Sequence, residues 1–140
     1  PLHETPPETF DFMMKLNAAT VFNTNQAVIP HMIRQGSGKI VNVAAGAGLA
    51  GRPKMAAYSA SKAAVIRLTE SASAEVKAHG INVNCILPGT IDTPQNRAAM
   101  PNANFDKWVQ PESLADVIAF LASEAARDVH GTAVPVYGLT

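Results

Sequence analysis

Tyr58 and Lys62 stand four residues apart in Tyr58-Ser59-Ala60-Ser61-Lys62, inside a segment whose composition reads as helix. Side chains at i and i+4 share a helix face. A fixed ammonium beside a phenol favours the phenolate, so the spacing predicts a lowered Tyr58 pKa. A tyrosine tuned in that direction can give or take a proton during a reaction. The same pair occurs on many solvated helices. Taken alone, Tyr58 equally reads as a half-buried core tyrosine and Lys62 as a solvated lysine. Ser59 and Ser61 flank the tyrosine but face other directions, and no histidine–carboxylate pair accompanies them to make a nucleophile. His3, His31, His79 and His130 are scattered without ligand spacing, so no metal is expected.

These groups need elements to hold them. Thr5-Pro6-Pro7-Glu8 has the form of a capping box with proline at the first helical position, and predicts a helix from about residue 6. Phe10, Met13, Met14, Leu16 and Val21 would form its apolar face. The helix continues past Phe22 towards Ile33, with Pro30 a candidate kink, and Gln35-Gly36-Ser37-Gly38 stops it. Residues 40–44 form a short apolar run suited to a parallel strand buried on both faces. Tyr58 and Lys62 fall on a helix over 55–78 that is crowded with alanine and ended by Gly80. Residues 81–87 read as the next strand, which Pro88-Gly89 turns into a loop. A short helix over 93–99, a polar loop over 100–110, a helix from Pro111-Glu112 through Leu121 and a last strand over 133–137 complete the chain. Pro135 implies that its missing donor is not needed in the ladder. Strands alternating with helices imply an α/β fold with a parallel sheet, one domain over 1–140.

Gly46-Ala47-Gly48-Leu49-Ala50-Gly51 spells G-x-G-x-x-G after a predicted strand. A dinucleotide loop of that form opens a helix and is followed about 20 residues later by an acidic residue at a strand end. Here Arg52-Pro53-Lys54 interrupts any helix and Glu70 lies inside one, so the segment reads as a flexible loop bordering a substrate site. Composition narrows the function classes. Eleven basic and eleven acidic side chains cancel in 140 residues that are 47% hydrophobic. No basic patch argues for nucleic acid, and no apolar run is long enough to span a bilayer. The single cysteine, Cys85, lies in an apolar strand as a buried structural thiol and fits a reducing, cytoplasmic compartment.

Taken together, the ordered motifs resemble the short-chain dehydrogenase/reductase family. They are Gly38-Lys39-Ile40-Val41-Asn42-Val43, Tyr58-Ser59-Ala60-Ser61-Lys62-Ala63-Ala64, and Ile81 to Thr93 with its Pro88-Gly89 loop. The resemblance implies the C-terminal part of a doubly wound Rossmann-type parallel sheet. It also implies an NAD or NADP cofactor and hydride transfer with Tyr58 as general acid/base. Lys62 would touch the nicotinamide ribose, and Asn17 would hold a water in a proton relay. Pro88, Gly89, Ile91 and Thr93 would border the cofactor, although Thr93 equally serves to cap the helix after it. The family's dinucleotide loop is absent, which predicts further βα units ahead of Pro1. A homodimer or homotetramer is implied, with helices paired across subunits and a small-molecule substrate. The family's usual serine falls thirteen positions before the tyrosine, where this chain has Ala45.

That alanine, together with the segment from Ile91 to Trp108, is similar to dihydropteridine reductases within the same family. Asn17 and Pro88-Gly89 follow the general family form instead. Three functions therefore compete. The first is an oxidoreductase acting on a pteridine-like acceptor or on a carbonyl/alcohol substrate of the 3-oxoacyl type. The second is a weakened relative that binds nucleotide without turnover. The third is an oligomerisation module.

Overall fold

The computed structural model describes all 140 residues. A continuous helical run opens it: α1 (Pro7–Met13), a π-helical turn over Met14–Ala19, and α2 (Thr20–Gln35). The expected capping box does not form. Thr5 lies one residue too early, and its Oγ1 donates to the Pro1 carbonyl at 2.9 Å, while Pro6 takes the N-cap position without a side-chain cap. Pro7 still starts the helix, because its fixed φ suits the first turn and its missing N–H would be unpaired there anyway. Pro30 sits inside α2 without ending it. The irregularity falls instead at the π turn, where the Thr20 hydroxyl donates to the carbonyls of Leu16 (2.7 Å) and Lys15 (3.2 Å). Such back-bonding loosens a helix locally. A π turn holds an extra residue, so a stripe read at 3.6 residues per turn drifts off the buried face. Met13, Met14 and Val21 do turn inward, but Phe10 and Leu16 are 45% and 54% exposed.

Three strands, β1 (Gly38–Val43), β2 (Ile81–Pro88) and β3 (Ala133–Val136), form a parallel sheet in the order β1-β2-β3. Gly38 lies opposite Ile81, and Cys85 opposite Ala133. Burial on both faces belongs to β2, where every residue from 81 to 87 is buried. In β1, an edge of these three strands, only Asn42 is buried, so the expectation for that strand is not met within this chain. Strand alternation divides β2 between two helical layers. Ile81, Val83, Cys85 and Leu87 meet α2 and α3 (Ala56–Val76). Ile86 faces α5 (Pro111–Ala122) through Leu114 and Leu121.

Asn82 and Asn84 lie on the α5 side of β2 and hydrogen-bond the chain that leads into β3. Asn82 Nδ2 donates to the carbonyls of Arg127 (2.8 Å) and Val129 (2.9 Å). Asn84 donates to Val129 O at 2.9 Å and accepts from Thr132 N at 3.0 Å. Buried amides paired in this way avoid the desolvation penalty of an orphan. Gly36 and Gly80 end their helices in the left-handed region, both at φ +72°, as glycine permits at a helix C′ position. No helix is long and apolar enough to cross a membrane.

Candidate active site

The carboxyl ends of parallel strands are where an α/β sheet leaves a crevice. Here the loop after β1, the first turns of α3, the loop after β2 and the end of β3 surround a cavity of about 650 Å³. Ala45, Tyr58, Lys62, Pro88, Gly89 and Ile91 all line it, and no acidic side chain does. The helix that presents Tyr58 is seated on the sheet by a buried tie. Asn42 Nδ2 donates to Thr69 Oγ1 at 2.9 Å, and that hydroxyl donates to Val65 O at 2.8 Å.

Tyr58 and Lys62 share a face, as their spacing requires, but the electrostatics run opposite to the sequence expectation. The Lys62 ammonium donates to the Val43 carbonyl at 3.0 Å and lies 5.9 Å from the centroid of the Tyr58 ring. Burial pushes the Tyr58 phenol up and the Lys62 ammonium down. With both groups half-buried, loss of water around each charge outweighs their mutual attraction.

The G-x-G-x-x-G segment is not a phosphate loop. Gly46–Gly48 forms a single 3₁₀ turn packed on α3. A Cβ on Gly48 would lie 2.8 Å from the Lys62 carbonyl carbon and oxygen. The glycine permits the loop carrying Ala45 to touch the helix carrying Tyr58.

Asn17 lies in the π turn, a feature often found at functional positions. It does not line the cavity. Its Nδ2 donates to Met13 O at 3.2 Å and to Ser61 Oγ at 3.1 Å, and Ser61 Oγ donates to Tyr58 O at 2.8 Å. Asn17 therefore reaches Tyr58 through Ser61, which is fully buried. Thr93 caps α4 (Pro94–Ala99), accepting from Asn96 N at 3.2 Å; it too is off the cavity wall. Beyond it the chain is clasped. Arg97 forks onto Asp92 at 2.5 and 2.7 Å and lies 4.6 Å over the Phe105 ring, which packs on Trp108. The Arg97 hydrogen bond holds the Asp92 carboxyl below the usual carboxylate range. Ile91 bridges Val109, so the stretch expected to be a plain loop is a braced wall.

Sequence reasoning missed Ser61, Arg52 and Tyr137. The i−3 back-bond of Ser61 to Tyr58 was available from helix spacing, but its contact with Asn17 joins residues 44 apart. Arg52 and Tyr137 line the cavity with no local signal to announce it. Cys85 is buried, and burial pushes its thiol up. No group of three or more histidine, cysteine or acidic side chains is placed to hold a metal.

A family model described as short chain dehydrogenase matches residues 1–104. The 2-(R)-hydroxypropyl-CoM dehydrogenase of Xanthobacter autotrophicus is 37% identical over 98% of this chain and 59% of that protein. The 3-oxoacyl-[acyl-carrier-protein] reductase FabG of Thermotoga maritima is 36% identical over 94% of this chain and 56% of that protein. Among solved structures, a gluconate 5-dehydrogenase from Burkholderia cenocepacia, in complex with NADP and tartrate, superposes with a TM-score of 0.90 at 36% identity. That alignment covers 99% of this chain and 58% of the other. The chain thus spans under two thirds of the length of these relatives. The narrower resemblance to dihydropteridine reductases finds no support in them.

Proposed function

The chain belongs to the short-chain dehydrogenase family, and from that premise we propose that the whole protein is an NAD- or NADP-dependent oxidoreductase interconverting a carbonyl and an alcohol on a small molecule. The observation that carries this reading is one cavity holding the Tyr58 phenol, Lys62 and the Pro88-Gly89 loop at the carboxyl ends of the strands. The residues suit a nicotinamide nucleotide. A Cβ on Gly89 would meet the Tyr137 carbonyl at 2.8 Å, so the loop stays close to the strand and leaves the cavity open, and no acidic side chain on the wall repels a phosphate. Lys62, Pro88, Gly89 and Ile91 would hold its nicotinamide end, with Thr93 ordering the same loop. When bound it supplies or accepts hydride.

Tyr58 carries the proton. Its raised pKa keeps the hydroxyl protonated at neutral pH, ready to be delivered to a carbonyl oxygen as charge develops there. Lys62, whose ammonium donates to the Val43 carbonyl, would hold the ribose of a nucleotide bound here, and a positive charge on that side of the phenol would ease proton loss from Tyr58. Asn17 and Ser61 set the position of the Tyr58 backbone. The carbonyl/alcohol reading takes precedence over a pteridine-like acceptor, which rests on Ala45 and the 91–108 segment alone. A homodimer or homotetramer built on α2 and α3 is consistent with the exposed Phe22 and Ile33. A groove of about 340 Å³ between those helices, lined by Ile29 and Leu68, fits the same reading. A cytoplasmic enzyme fits the lone buried Cys85.

The test is turnover of NADH and NADPH by the full-length protein with a 3-oxo ester, a hydroxy-acid-derived ketone and a quinonoid dihydropterin. Tyr58→Phe should lower kcat by roughly 10²–10⁴-fold while nucleotide affinity is kept. Lys62→Ala should damage both. Reduction of the pterin alone would reject the carbonyl reading, and Tyr58→Phe retaining more than about a tenth of the rate would remove Tyr58 from the role of acid.

A further inference from the structure

Ala45 leaves the cavity without a hydroxyl at that position, and a second phenol stands beside the gap. The chain has two tyrosines. Tyr137 follows β3, and its ring packs against the cluster of Ala44, Val65, Ile66, Cys85 and Leu87, next to the strand end that bears Ala45. Its hydroxyl emerges at the residue after Ala45. A Cβ on Gly46 would lie 3.0 Å from the Tyr137 oxygen and 3.1 Å from the ring edge. Any side chain at position 46 would press on this phenol, so the glycine leaves it free. Tyr137 lines the same cavity as Tyr58 and Lys62. Its hydroxyl has no hydrogen-bond partner within the chain, yet it is not among the sealed, unpaired polar atoms, which are Asn25 Oδ1 and Ser59 Oγ. A phenol whose ring is fixed in the core and whose hydroxyl is open to the reaction cavity is a donor set in place beforehand.

We infer that Tyr137 supplies the substrate oxygen with the hydrogen bond that Ala45 cannot. This rests on the carbonyl/alcohol reading. In the reducing direction the carbonyl carbon gains hydride from the reduced nicotinamide and the π pair moves onto oxygen. That oxygen takes the proton of Tyr58. Tyr137 donates a hydrogen bond to the same oxygen and keeps its own proton, so the balance of atoms and charge is unchanged by its presence. Its contribution is to stabilise the developing negative charge from a position that needs no reorganisation. The other hydroxyls nearby serve less well. Ser59 is sealed, Ser61 is bound to Asn17 and Tyr58 O, and Thr140 Oγ1 donates to Tyr137 O. Thr90 also lines the cavity, but on the loop after β2.

The experiment uses the full-length protein with ethyl 3-oxobutanoate as probe and these variants: Tyr137→Phe, Ala45→Ser, Thr90→Val, and Ala45→Ser joined to each of the other two. Tyr137→Phe keeps the ring in the core and removes only the donor. It should lower kcat by about 10²-fold, with the nucleotide dissociation constant and thermal midpoint unchanged. Ala45→Ser should restore at least about a tenth of the lost rate in the Tyr137→Phe background, while changing the wild-type rate by no more than about threefold. Thr90→Val, on the loop after β2, should lower the rate less than Tyr137→Phe does, and Ala45→Ser should not repair that loss. The non-additive rescue of Tyr137→Phe is the signature of two hydroxyls serving one oxygen, and a purely structural tyrosine would not produce it. Wild-type turnover that survives Tyr137→Phe, a Tyr137→Phe loss that Ala45→Ser does not repair, or a loss found only in Thr90→Val overturns the inference and leaves the carbonyl reading intact. A wild-type protein that reduces no ketone overturns the carbonyl reading itself, and this inference with it.

Discussion

Gly48→Ala is expected to separate the two halves of the site. A Cβ at position 48 would lie 2.8 Å from the Lys62 carbonyl carbon and oxygen and 2.9 Å from Ala63 N. These are backbone atoms in the second turn of α3 and cannot swing aside. Carbon atoms pack comfortably at about 3.5 Å, so loop and helix must part by about 0.7 Å. Overpacking of this kind costs about 1–3 kcal/mol. The kinetic effect should exceed the loss of stability. The loop carries Ala45 and Gly46, the helix carries Tyr58 and Lys62, and a misplacement near 1 Å across reacting groups costs on the order of 10²-fold in rate. Gly51→Ala is the internal control, since nothing lies within 4 Å of a Cβ there. The assay is kcat/KM with thermal unfolding and nucleotide affinity on both variants. A Gly48→Ala protein with wild-type rate and thermal midpoint, or a Gly51→Ala protein equally damaged, would refute the close-contact reasoning.

Other expectations follow from the same geometry. Ser61→Ala removes the group joining Asn17 to the Tyr58 carbonyl and should cost about 1–2 kcal/mol, with a fall in kcat and little change in KM; an unchanged kcat would mean that the Asn17–Ser61 link does not position Tyr58. In the ligand-free protein, the absorbance titration that differs between wild type and Tyr58→Phe should have its midpoint above the ordinary phenol value, because burial raises it. The folded form then keeps a proton that the unfolded chain has released, so the Tyr58 contribution to stability declines as pH rises from the ordinary phenol value through the folded one. Lys62 acts in the opposite sense just below the ordinary lysine value, where its lowered pKa makes stability rise with pH. A Tyr58 midpoint below the ordinary value would show that attraction to Lys62 prevails over burial.

The features legible in the chain are those governed by neighbours in sequence. Helical spacing puts Tyr58 and Lys62 on one face, a proline opens the first helix one residue later than read, Pro111 opens another, Gly36 and Gly80 close helices, and Thr93 caps α4. Each is a matter of local dihedrals and the nearest backbone donors, which is why the order of elements and the parallel α/β class followed without coordinates. Local rules failed at the π turn that holds Leu16, where the backbone leaves its regular period, and at Phe10 ahead of it, which is exposed as well. Distance in sequence hid the rest. Asn17 meets Ser61, Tyr137 meets Gly46, and Gly48 meets Lys62 only after the sheet has stacked strands drawn from distant parts of the chain. The sign of the Tyr58 shift belongs to the same class. A lysine four residues away is visible in sequence, but desolvation depends on every atom packed around the pair, and only the folded chain decides which effect prevails.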